Sequence, residues 1–170
     1  MADIDIRNND QAVAWNGSMG QRWVERQATM DTLVAPVSAE LFGAVDLAPG
    51  SRALDIGCGS GILAIAAARL GATSVLGVDT DPIAVEATRA NARRNGLARR
   101  IPARQGSLPT GDRPFDLVLA NLIASVLVRL ADGIAAELRP AVAGGEGGRV
   151  LASGIFIDRE PEVREALAAA

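Results

Sequence analysis

The chain has 170 residues, the length of one domain, and 49% of them are apolar, enough for a sizeable core. Its net charge of −3 disfavours a general electrostatic grip on nucleic acid, which wants a basic surface. With no histidine, no tyrosine and one cysteine, it excludes Ser/His/Asp triads, His-based general bases, His-ligated metal sites and an internal disulfide. Chemistry here must work through carboxylates, amides, backbone groups or a reactive cofactor. The N-terminal "MADIDIRNND" has no basic stretch followed by an apolar one, so it does not read as a secretory signal. No apolar run approaches the length of a membrane span, and a cytoplasmic protein is expected.

The first fifty residues differ from the rest. "QAVAWNGSMGQRWVERQ" carries both tryptophans, Trp15 and Trp23, around two glycines. In "MDTLVAPVSAELFGAV", Leu33, Val37, Leu41 and Val45 fall at helical spacing with Asp31 as N-cap. Residues 1–50 are therefore expected to form a helical leader, and residues 51–170 the main domain.

From Arg52 strands and helices alternate. "RALDIG" reads as a buried strand and "ILAIAAARLG" as a helix closed by Gly71. "SVLGVD" is a second strand. "DPIAVEATRANARRNG" is a helix with Asp81 as N-cap, Pro82 at its first position and Gly96 at its end. The arginine pairs Arg93–Arg94 and Arg99–Arg100 read as the solvated end of that helix. "IPARQGSL" holds a short third strand and "FDLVLANLI" a fourth. "SVLVRLADGIAAELRP" is helical, "GRVLASGIFI" is a fifth strand, and "EPEVREALAAA" begins another helix. This order predicts a Rossmann-like, doubly wound, mostly parallel α/β sheet with right-handed crossovers.

In such a sheet a ligand sits beyond the carboxyl ends of the strands, where the strand order reverses. "LDIGCGSG" places Gly57, Cys58, Gly59 and Gly61 there, directly after the first strand. A carboxylate on a ribose is expected about 20 residues on, and Asp79 fits. NAD(P), FAD and S-adenosylmethionine all carry a ribose. The dinucleotide fingerprint, however, puts its third glycine where Ile62 stands, and Asp55 before the loop would repel a pyrophosphate. Asp55 suits a ligand with an ammonium and a sulfonium, which points to S-adenosylmethionine. Asp55 also reads as a carboxylate capping the following helix, and Cys58 as a small loop filler rather than a nucleophile.

The run from Leu54 to Leu97 resembles a class I S-adenosylmethionine-dependent methyltransferase. Within that superfamily, "FDLVLANLIASVLVRLADGIAAELRP" and "GGRVLASGIF" make it most similar to the PrmA-type enzymes, which methylate amines of a ribosomal protein. The resemblance spans roughly Arg52 to Ala170. It implies that Gly57, Gly59 and Gly61 line the methionine part of the cofactor with Asp55 near its ammonium, and that Asp79 holds the ribose. It adds Cys58, Thr80, Ser107 and Leu108 to the cofactor-binding set, Ser107 standing where many relatives carry an acidic residue. It implies that Asn121, at the end of the fourth strand, touches the cofactor and orients the acceptor amine as the catalytic residue; read alone, Asn121 also fits a turn residue after a strand.

Two departures set further expectations. The leader resembles that of quinone-biosynthesis-type methyltransferases, which forms a lid over the cofactor. These folds normally have seven strands, so a core truncated after the fifth strand and its helix is expected, with a fifth-strand edge that invites homodimers. The leading expectation is methylation of a protein amine, ribosomal or other. Small-molecule methylation and a non-catalytic cofactor-binding module are the alternatives. No metal, no membrane and no nucleic-acid partner are expected.

Overall fold

In the computed structural model the described residues are 45, 47–112, 114–141, 143 and 145–170. Of the expected leader only Val45 and residues 47–50 fall among them; Trp15, Trp23 and the rest of its expected helix lie outside. Five strands, β1 (Arg52–Ile56), β2 (Ser74–Asp79), β3 (Ala103–Gln105), β4 (Leu117–Asn121) and β5 (Arg149–Ser153), form one sheet. Four helices join and follow them: α1 (Ile62–Arg69), α2 (Pro82–Arg94), α3 (Ala124–Glu137) and α4 (Glu160–Ala169). The strand order is β3-β2-β1-β4-β5 and every pairing is parallel. The chain runs outward from β1 through β2 to β3, then returns to the other side of β1 for β4 and β5. The reversal falls between β1 and β4, and their carboxyl ends frame the crevice where such sheets bind ligands.

Sequence dictates these elements through burial on two faces. β1, β2 and β4 are central, so they read as continuous apolar runs rather than alternating ones. Leu54, Ile56, Val78, Val118 and Ala120 join Leu127 and Ile134 of α3 and Val163 of α4 in one core. α2 begins as its sequence demands: Asp81 Oδ1 accepts the Ile83 N–H at 2.8 Å, and Pro82 occupies the first turn, where a missing N–H costs nothing. Gly96 follows its end at φ +72. At the amino ends of the strands, the Asp116 carboxylate accepts the Arg52 N–H at 2.9 Å and Arg139 Nε at 2.7 Å. The Arg52 guanidinium lies 4.8 Å from the centre of the Phe115 ring. These contacts set β1 and β4 in register at the end away from the crevice.

The fifth strand differs from its expected extent. "GRVLASGIFI" was expected to run extended throughout, but β5 ends at Ser153. Gly154 turns the chain at φ +82, and a 3-10 turn over Ile157–Arg159 leads into α4. Phe156 and Ile157 are thereby left 79% and 92% exposed instead of paired in the sheet. Among the described residues β5 hydrogen-bonds to β4 alone.

Candidate functional site

The loop between β1 and α1 is shaped by three left-handed glycines, each for a different reason. Gly57 (φ +67) is covered by Leu122: a Cβ on Gly57 would lie 2.7 Å from Leu122 Cδ2. Gly61 (φ +79) caps α1 and is pressed by α2, since a Cβ there would lie 2.9 Å from Thr88 Cγ2 and 3.2 Å from its Cα. Gly59 (φ +51) is the open one: a Cβ there would find no atom closer than 3.9 Å. Gly59 is therefore the position at which a ligand can approach bare backbone. The missing side chain of Gly61 serves helix packing.

Hydrogen bonds tie this loop to the end of β2. Gly57 N–H and Cys58 N–H both donate to Val78 O, at 2.8 and 3.1 Å. Gly59 N–H donates to Asp79 Oδ2 at 3.0 Å, and Asp81 N–H donates to Asp79 Oδ1 at 3.0 Å. Each oxygen of Asp79 thus takes one backbone N–H and keeps a second lone pair for a ligand hydroxyl. Thr80, next along, is exposed, and its carbonyl accepts Gln105 Nε2 at 3.0 Å, while Gly106 N–H donates to Asp79 O at 2.8 Å. These bonds bring the loop after β3 beside the end of β2. Ser107 is exposed one residue further on, and Leu108 is half-buried against Gly133 of α3.

Asp55 sits on β1 behind the loop, 1% exposed, with Oδ2 accepting the Ala64 N–H of α1 at 3.0 Å. It is a cap supplied from another element, satisfying an orphan donor of the helix's first turn. Burial pushes its pKa up; the Ala64 hydrogen bond opposes this and the neighbouring Asp79 charge adds to it, leaving a value of about 7. The consequence for stability has a definite sign. Below pH 3.8 the carboxyl is protonated in folded and unfolded chains alike. Between 3.8 and about 7 the unfolded chain is ionised while the folded one still holds its proton, so stability falls as pH rises and flattens above 7. The expected loss from this group is on the order of 4 kcal/mol. Urea titrations from pH 4 to 8 should show that slope in the wild type and a much smaller one in Asp55→Asn; equal slopes would refute the assignment.

Cys58 is buried and its thiol pKa is raised, chiefly by burial, so it is a poor nucleophile. Its partner Thr88 is a residue that sequence reasoning passed over. Thr88 is fully buried on α2, and its hydroxyl lies 3.0 Å from Gly59 O and 3.3 Å from Cys58 Sγ. The available signal was a hydroxyl on the buried face of an amphipathic helix. Thr88→Val keeps the shape and removes this brace. It should cost about 1 kcal/mol in denaturant stability and weaken ligand binding at Gly59. Thr88→Ser keeps the hydroxyl and should restore binding, though not the packing of the lost methyl, and unchanged binding in Thr88→Val would show the brace to be idle.

Asn121 is the last residue of β4 and is exposed. Its neighbour Leu122 lies over Gly57, so the two strand ends flanking the crevice are in contact. The structure thus gathers Asp55, the glycine loop, Asp79 and Asn121 at the carboxyl ends of three adjacent strands, with Ser107 and Leu108 after β3 at the margin. A cavity of about 350 Å³ is lined by Pro82, Ile83, Val85, Glu86, Arg89 and Gln105, at the start of α2 and the end of β3, and shares no residue with the glycine loop. Among the described residues no cluster of His, Cys, Asp and Glu could hold a metal. None of their helices is long and apolar enough to cross a membrane.

The family model for ribosomal protein L11 methyltransferase (PrmA) matches residues 37–170. The chain is 48% identical over 120 residues to a ribosomal protein L11 methyltransferase of Symbiobacterium thermophilum, covering 70% of this chain and 37% of that relative. It is 42% identical over 137 residues to the Deinococcus radiodurans enzyme of the same name, covering 77% and 48%. Among solved structures, a ribosomal protein L11 methylase from Lactobacillus delbrueckii subsp. bulgaricus superposes with a TM-score of 0.63 at 33% identity, over 75% of this chain and 63% of that one. The chain spans less than half the length of these curated relatives.

Proposed function

The chain belongs to the ribosomal protein L11 methyltransferase (PrmA) family, and from that premise we propose that it transfers a methyl group from S-adenosylmethionine to an amine of a ribosomal protein, L11 by analogy with its relatives. One observation carries the cofactor reading: the open Gly59 backbone is hydrogen-bonded to an Asp79 carboxylate that retains lone pairs for a ribose diol. The residues present fit an adenosyl amino acid better than a dinucleotide, because two carboxyls, Asp55 and Asp79, flank the loop and a pyrophosphate would be repelled. A bound ammonium would favour the ionised form of the buried Asp55, whose Oδ2 is committed to Ala64. Gly57, Cys58, Gly61, Thr80, Ser107 and Leu108 border the cofactor, and Ser107 meets its adenine.

When bound, S-adenosylmethionine supplies a sulfonium-activated methyl group. The chain's own residues contribute position rather than acid–base power, in keeping with the absence of histidine. A neutral amine is already a nucleophile. The Asn121 amide oxygen accepts a hydrogen bond from it and turns its lone pair toward the crevice. Exposed apolar side chains after two strands, Ile123 at 64% and Phe156 at 79%, favour an acceptor large enough to cover them. Residues 1–50 are proposed as a leader segment ahead of the core domain, and the protein as cytoplasmic.

Labelled-methyl transfer from S-adenosylmethionine to recombinant ribosomal protein L11, to other ribosomal proteins and to small amines tests the reading. Label on a ribosomal protein supports it. Label on small amines alone would make this a small-molecule enzyme, and binding without any transfer would make it a cofactor-binding module. β5 stands at the end of the sheet among the described residues, and this edge is proposed to pair with a second copy. Light scattering should then show a mass that rises with concentration, and a strict monomer would rule the pairing out.

A further inference from the structure

We infer that Gly154 is a positioning residue: its missing side chain is the seat of the Asn121 amide. The pairing of β4 with β5 sets Asn121 opposite Ser153, and Leu122 N–H donates to Ser153 O at 3.2 Å. The next residue, Gly154, turns the chain directly beside that pair. A Cβ on Gly154 would lie 2.5 Å from Asn121 Oδ1, 3.2 Å from Leu122 O and 3.5 Å from Leu122 N. On the other side, the Leu122 side chain occupies the space a Cβ on Gly57 would take. The Asn121–Leu122 dipeptide is thus seated between two glycines, at the ends of β1 and β5.

A turn glycine needs only its positive φ to be explained. Gly96, Gly106 and Gly111 are of that kind: each has a positive φ, and a Cβ there would meet nothing within 4 Å. Gly154 carries a second constraint, and the atom it confronts most closely belongs to the residue that faces the acceptor. When a methyl group is forced into that space, Leu122 is held by the strand ladder and by Gly57. The Asn121 side chain ends in a rotatable amide, so it is the amide that swings away.

The inference rests on the reading of Asn121 as the residue that orients the acceptor amine, but its test has arms that do not. In the 170-residue chain, Gly154→Ala should displace the Asn121 side-chain amide signals in a ¹H–¹⁵N spectrum, identified by their loss in Asn121→Ala, more than those of Asn91 and Asn95. Asn121→Ala combined with Gly154→Ala should melt higher than Gly154→Ala alone, because shortening Asn121 relieves the clash. This comparison holds even if the single variant folds poorly. Turnover of ribosomal protein L11 should fall roughly tenfold or more through kcat, while S-adenosylhomocysteine affinity stays within about twofold (under 0.5 kcal/mol). Adding Gly154→Ala to Asn121→Ala should cost nothing further in turnover. An unmoved Asn121 amide, no relief of melting in the double variant, or an equal loss of turnover in both backgrounds would each overturn the assignment. If the wild type methylates no acceptor, the functional reading falls while the amide and melting results still decide the seat.

Discussion

Asp79→Ala should lower the affinity for S-adenosylmethionine by roughly tenfold to more than a hundredfold, since each lost hydrogen bond to a charged group is worth about 1.5–3 kcal/mol. The carboxylate stands at the end of β2 with one oxygen on Gly59 N–H and the other on Asp81 N–H. It therefore does two jobs, and the alanine variant should show both. Calorimetry reads the loss of the ribose partner. Denaturant unfolding should show a further loss of about 1 kcal/mol, because two backbone donors lose their acceptor. Asp79→Asn separates the two: its amide oxygen can keep one backbone donor but not both, so stability should recover in part while affinity stays low. Unchanged affinity in either variant would remove Asp79 from the site. A preference for NAD over S-adenosylmethionine would remove the cofactor reading itself.

Asn121→Ala should leave cofactor affinity unchanged and lower turnover on the order of 100-fold, the usual cost when a reactant drifts by about an ångström, or about 2.7 kcal/mol in the barrier. The separation is expected from position. Asp79 closes β2 and bonds to the glycine loop, whereas Asn121 closes β4 on the far side of β1 and makes its close approach to Gly154. Kinetics on a methylated acceptor with saturating S-adenosylmethionine would show the loss in kcat. Wild-type turnover in the variant would leave Asn121 as no more than the turn residue that ends the strand.

How far the site was legible varies from residue to residue. Asp79 and Gly59 stood out because the chemistry they serve depends on sequence spacing: a glycine loop after one strand and a carboxylate at the end of the next. Asp55 was legible as a carboxyl at the right place, and both readings of it were stated. Its helix-capping bond to Ala64 shows in the geometry, while its contact with an ammonium remains the proposal. Gly61 was grouped with the ligand-facing glycines because neighbouring glycines look alike in a sequence. Only Thr88, arriving from α2 some 27 residues later, shows that its space is taken by helix packing. Thr88 itself gave little signal, since one threonine in an amphipathic helix has no distinctive partner until the loop it braces is folded against it.

The sequence by itself determined the alternation of strands and helices, the caps of α2 and the place of the glycine loop, because these depend on local propensity and on apolar runs within a few residues of each other. It also determined that no histidine chemistry is available. Only the tertiary structure decided where β5 ends and what meets across strands. The apolar "GIFI" reads as a continuation of the strand, yet Gly154 takes φ +82 and leaves Phe156 exposed. The seat of Asn121 on Gly154 and of Leu122 on Gly57 joins residues more than thirty positions apart. Such contacts arise from the strand order and the parallel register, and short-range sequence pattern carries no record of either.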